Sequence, residues 1–213
     1  MKKLFSVIAL VFTAILALSG CVNMNAEINV EGQNKASGVV QVGINKENLQ
    51  GQSIDQVMPS IVDVAAMEKQ IDGQWTYEKF DDGENVGLRF DTEGAMTYTQ
   101  LADAFKIFGF QFALADDGKE VTFSMPGDKA KVDQNFTEAN VAVKFPGQVT
   151  SHAPGVVDGH TVTFDLTKGA SVYQATGTFD HTMLYSLIFG GALLVLAFVF
   201  VFAFAPKGVK EAH

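Results

Sequence analysis

A lone thiol, a pair of histidines and two short acidic runs are the groups in this 213-residue chain with chemistry to offer. Cys21 is the single cysteine, which excludes a structural disulfide within one chain and a cysteine-rich zinc module. It closes the run Leu18-Ser19-Gly20-Cys21, which has the form of a lipobox. Small residues there fit a signal peptidase, and the cysteine thiolate accepts a diacylglycerol before cleavage, so Cys21 is the expected lipidation site. His152 and His160 stand eight apart around Asp158, across a Pro154-Gly155 turn. The bland reading, polar turn residues, is preferred over a metal site. Ser151-His152 and Ser171 lack a nucleophile-elbow context. Asp81-Asp82-Gly83-Glu84-Asn85 and Asp116-Asp117-Gly118 lack the alternating oxygen ligands and distant Glu of a calcium loop, and they suit hairpin turns. Gly190-Gly191 falls in an apolar block, so no phosphate-binding loop is present. No catalytic residue, cofactor or metal is expected, and the chain is not read as an enzyme.

The segments that carry these groups divide the chain. Residues 1–20 have basic Lys2 and Lys3 followed by the apolar run Leu4 to Leu18, the pattern of a signal peptide. Residues 183–205 are 23 consecutive uncharged residues, long enough as a helix to cross a hydrocarbon core. Lys207 and Lys210 follow in the tail 206–213, so the C-terminus is expected in the cytoplasm and residues 21–182 outside the cell membrane. The stretch 22–182 keeps 11 basic residues, because Lys2, Lys3, Lys207 and Lys210 lie elsewhere; it keeps 23 acidic ones, all but Glu211, for a net −12. Such an acidic domain is no nucleic-acid partner, since phosphate contacts need a surplus of Lys and Arg. A tether of about four residues is expected between Cys21 and a first strand near Ala26. With a matching tether after Phe179, each reaches only about 15 Å and would pin both ends of the domain near the membrane. The acyl group could equally be a sorting mark.

The middle reads as one α+β domain, an antiparallel, β-rich sheet with two helices packed on one face. Ala26–Val30 and Val39–Ile44 alternate around Gly32-Gln33-Asn34-Lys35 and predict an opening hairpin; Asn29, Gln33, Asn34 and Gln41 are read as solvated surface. A helix is expected over Ser60–Lys69 with Pro59 in its first turn, and another over Tyr98–Phe108 with Thr97 and Gln100 at capping-box spacing. Strands are expected at Trp75–Phe80, Val86–Phe90, Phe110–Leu114, Val121–Met125, Asn140–Phe145, Thr161–Asp165 and Val172–Phe179.

Val141-Ala142-Val143-Lys144-Phe145-Pro146-Gly147, followed by Gly159 and Thr161-Val162-Thr163-Phe164-Asp165-Leu166, resembles the signature of the LppM-type lipoproteins of actinobacteria. There a strand ends in a Phe-Pro-Gly turn and a short strand follows. The order of lipobox, outer domain and C-terminal span is similar too. The resemblance implies a non-enzymatic envelope lipoprotein that binds membrane glycolipids such as phosphatidylinositol mannosides, and it supplies no catalytic residues. The residues themselves point the same way: Trp75, Phe105, Phe108, Phe110 and Phe112 could line an apolar pocket for the chains of a membrane lipid or glycolipid. The ordinary alternative is that they are core. A different reading makes the chain a scaffold subunit for a membrane-protein partner, with Ser186 and Gly190 permitting close contact along the span.

Overall fold

The computed structural model describes residues 22–49, 51–61, 69, 71, 73–127 and 136–179. Cys21, the signal segment, the apolar block 183–205 and the basic tail lie outside the described residues. Among the described residues no helix is long and apolar enough to cross a membrane.

Strand β1 (Val22–Gly32) and β2 (Lys35–Asn45) form the expected hairpin, longer at both ends than the alternation suggests. Val22, Met24, Ala26, Ile28 and Val30 all point into the core, so the period of two begins immediately after Cys21. The expected tether at 22–25 is therefore strand: its asparagines are the outward half of the alternation. At the hairpin turn Asn34 takes φ 48, a conformation that Asn tolerates better than most side chains. Its side-chain oxygen accepts from Tyr98 N–H at 3.2 Å, while the Tyr98 hydroxyl donates to Gly32 O at 2.7 Å.

Helix α1 (Ile54–Ile61) starts earlier than the proline suggests. Ser53 opens it, with its N–H donating to the Gln56 side chain at 2.9 Å and its carbonyl receiving Gln56 N–H and Val57 N–H. The Ser–Gln spacing is the start signal, and Pro59 sits inside the helix at the expense of one backbone bond. The next hairpin, β3 (Trp75–Asp81) and β4 (Asn85–Thr92), is the one read from the sequence. Helix α2 (Tyr98–Phe105) carries the complete capping box of Thr97 and Gln100. It continues as a 3-10 turn over Lys106–Phe108, and Gly109 ends it at φ 86. Phe110 to Phe112 do not extend a strand as expected. Strand β5 (Ala113–Asp116) begins after them, because these rings turn into the core next to Phe105.

β6 (Glu120–Pro126), β7 (Phe136–Lys144), β10 (Thr161–Asp165) and β11 (Val172–Thr178) follow the prediction closely. Two further strands, β8 (Val149–Ala153) and β9 (Val156–Asp158), are short and mostly exposed, so they carry no alternation to read.

The single antiparallel sheet expected from sequence is two sheets. A seven-stranded sheet has the order β3-β4-β2-β1-β7-β10-β9, and a four-stranded sheet the order β5-β6-β11-β8. The larger one is mixed, because β1 and β7 pair in parallel from Val22↔Phe136 to Asn29↔Lys144. Alternation specifies which face a residue takes and says nothing of strand direction; the long connection between β1 and β7 permits the crossover that a parallel pair requires. The inner face of the large sheet is covered by α2 over β2, by α1 beside β4, and by the small sheet, whose Phe123 stacks on Phe164 at 5.7 Å. One continuous apolar core results. β1 and β7 start together, whereas β11 ends beside Gln148, just past the end of β7.

Candidate functional site

Trp75, Phe105, Phe108, Phe110 and Phe112 do come together, and they do so as packed core. Trp75 meets Phe105 at 5.2 Å and Phe108 at 5.1 Å; Phe105 meets Phe112 at 5.3 Å and Phe110 at 6.1 Å. The most accessible of the five is Phe112, at 9%. The Trp75 indole N–H has no hydrogen-bond partner among the described residues. The Phe105 ring lies directly against Gly38 of β2, where any Cβ would overlap it.

The polar groups read as turn formers behave as such. Asp82 Oδ1 accepts Glu84 N–H at 3.0 Å and Asn85 N–H at 2.6 Å; Asp117 Oδ1 accepts Lys119 and Glu120 N–H, both at 2.9 Å. These backbone bonds stabilise the charged forms and hold both carboxyls below the usual range. His152 lies on β8 of the small sheet and His160 in the turn between β9 and β10 of the large one. Among the described residues no group of three or more His, Cys, Asp or Glu is placed to share a metal ion.

A second place is the outer face of the large sheet, to which Gln41 and Asn29, read from the sequence as solvated strand surface, both belong. The register there aligns Glu78 of β3, Arg89 of β4, Gln41 of β2, Asn25 of β1, Asn140 of β7 and Asp165 of β10 in one row across six strands. A cleft of about 200 Å³ lies along this row, walled also by Glu27, Thr163 and the small side chains of Val39 and Ala142. A smaller adjoining cleft shares Asn25 and Gln41 and adds Asn23, Asn85, Asp82 and Phe80. Gly43 and Gly87 face each other in the neighbouring row, and the half-buried Phe80 ring lies across this bare floor.

The side chains of the row divide into tied and free. Arg89 donates from Nε and Nη2 to the two carboxylate oxygens of Asp91, both at 2.8 Å. That pairing, reinforced by Glu27 and Glu78, raises the guanidinium pKa further above its ordinary value. Asn23 donates to Asn85 at 2.9 Å, and Asn140 donates to Glu138 at 2.6 Å. The amides of Asn25 and Gln41, half-buried at the centre, have no side-chain hydrogen bond among the described residues. A signal existed in the sequence: β1 places Asn at 23, 25 and 29, and Asn is poorly suited to strands.

The LppM domain profile matches residues 23–179. The chain belongs to the LppM domain family. The NMR structure of the folded domain of Mycobacterium tuberculosis LppM superposes with a TM-score of 0.52 at 18% identity, over 76% of this chain and 91% of that one. At this identity the likeness is one of fold. An M1 zinc metallopeptidase of Deinococcus radiodurans aligns with 75% of this chain and 42% of its own at 10% identity and a TM-score of 0.26, too low to bear on function. No curated protein matches the chain. In this LppM domain the Phe145-Pro146-Gly147 turn has a visible structural role. Phe145 is buried, Gly177 of β11 lies against its ring, and Gly147 lies against Thr178, so the Phe-Pro-Gly turn fastens the last strand.

Proposed function

We propose that this LppM-family chain is a non-catalytic envelope lipoprotein, acylated at Cys21 and held by a span at 183–205. Its acidic outer domain binds the head group of a membrane lipid or glycolipid. One observation carries the binding part: a half-buried polar cleft of about 200 Å³ on the outer face of the large sheet, with central amides left free. The aromatic cluster supports the reading only as the rigid layer beneath that face, because its rings are spent on one another. Membership of the family and the lipobox support the anchoring.

The test is native mass spectrometry of the full chain released from its membrane in mild detergent, followed by lipid extraction. The expected result is a stoichiometric lipid adduct together with an acyl mass on Cys21. A protein that carries no lipid but retains one stoichiometric membrane-protein partner would replace this reading with the scaffold.

A further inference from the structure

We propose that the outer face of the four-stranded sheet is a self-association surface, on which a second copy of this chain packs sheet against sheet. The inference rests on the membrane anchoring in the reading above and takes nothing from the lipid.

The alternation that sends Phe123, Met125, Tyr173 and Ala175 into the core leaves their neighbours on the opposite face. One row there runs Ala115–Thr122–Thr176–Ser151 across all four strands. The next holds Ser124, Gln174 and Ala153, and beyond it Val172 stands opposite Pro126. None of these residues is charged; the carboxylate of this face, Glu120, sits at its other end opposite Thr178. The rest of the acidic domain is different. The outer face of the large sheet bears Glu27, Glu78, Asp91 and Asp165, and the hairpin turns bear Asp82 and Asp117. Like charge repels a second copy from those surfaces and spares it on this one.

The face also suits its own copy in shape and in hydrogen bonding. Its side chains are mostly small, so two such sheets can approach to the roughly 10 Å spacing of packed sheets. A hydroxyl both donates and accepts, so a row of Ser and Thr is complementary to itself across a two-fold axis. Thr122 and Thr176 already bond each other at 3.1 Å, whereas Ser124 and Ser151 have no side-chain bond among the described residues. The face carries no Lys, Arg or aromatic ring of the kind that seats a surface on a bilayer. Its area is roughly 300 Å² from strand and residue spacings, about half of what each partner gives to a small stable complex. Pairing therefore depends on two copies being held in one membrane, where their effective concentration is far higher than in free solution.

The experiment uses the full chain in phosphatidylcholine proteoliposomes with a short bismaleimide cross-linker. Thr122→Cys is the reporter, compared with Glu78→Cys on the outer face of the large sheet and with the wild type. The expected result is a product of doubled mass from Thr122→Cys in excess of both others. No such product, or as much from Glu78→Cys, which would report collision or pairing through the span, overturns the proposal. Added to the reporter, Gln174→Glu or Gln174→Lys alone is expected to abolish the product, and an equal mixture of the two to restore it. Gln174 is exposed, so both variants should keep the wild-type melting temperature. If either loses it, Ala153→Glu and Ala153→Lys on the exposed end of β8 take their place. Product that survives like charges, or fails to return on mixing, overturns the proposal. So does a Thr122→Cys cross-link, in the producing cell's own membranes, to a chain of different mass in place of a second copy. Carbonate washing reads the anchoring separately. A retained chain without the doubled product sinks this inference alone, and a released chain that still cross-links sinks the anchoring alone.

Discussion

Gly38 and Phe105 meet where helix α2 lies on the inner face of β2, and the contact leaves no room for a methyl group. Gly38→Ala is expected to destabilise the domain by about 1–3 kcal/mol through overpacking. Phe105→Ala, which empties the centre of the aromatic cluster, should cost about 3–5 kcal/mol. Urea unfolding of both variants checks the order. Tyr98 adds a pH dependence. Burial, with Asp116 nearby, pushes its hydroxyl from 10.0 up to about 12, and the protonated hydroxyl is the form that donates to Gly32 O. A folded-state pKa above the unfolded one means stability that is complete below pH 10 and lost as pH rises toward 12. Melting temperatures should fall through that window, and Tyr98→Phe should remove this residue's share of the fall. At the acid end the sign reverses. Asp165, held low first by the Thr167 hydroxyl and then by Lys168, gives stability that is complete above the ordinary carboxyl range and is lost as pH falls below that range through its lowered folded value.

At the scale of elements, Thr97→Ala tests the one helix whose start was fully legible. Loss of the side-chain bond to Gln100 N–H should cost about 1 kcal/mol, read as a lowered unfolding midpoint. Legibility follows how locally each element is specified. The capping box, the Gly109 stop and the hairpins at Asn34, Gly83 and Gly118 depend on residues a few positions apart, and all were visible. Helix α1 starts six residues before the expected Ser60, because Pro59 is a louder signal than the Ser53–Gln56 pair that starts it, and residues 62–68 of the expected helix lie outside the described residues. β8 and β9 escaped because neither buries a face. The parallel pairing of β1 with β7 could not be read, since both strands alternate in the same way in either direction. The aromatic residues were found as a group, but periodicity reports that a ring points inward and not whether space remains beside it. The polar row was missed for a related reason. Its members come from six strands, and only the register places Asn25 beside Gln41 and Asn140.

At the scale of the whole molecule, β1 occupies the middle of the seven-stranded order, and one of its two neighbours arrives more than a hundred residues later. A chain truncated after Pro126 keeps the β1–β2 hairpin and both helices but loses β7 and everything beyond it. The truncated chain is expected to lack a cooperative thermal transition by circular dichroism, because the central strand would expose one whole edge and the small sheet would lose β8 and β11. The same central position has a mechanical consequence. Any tension that reaches the chain at Cys21 enters the fold through Val22, along the axis of β1. Pulled that way, the strand loads the ladders to β2 and β7 together, in shear, and the bonds must slip collectively where those of an edge strand would peel one at a time. A domain tugged by its N-terminus would therefore hold until the sheet itself gives way.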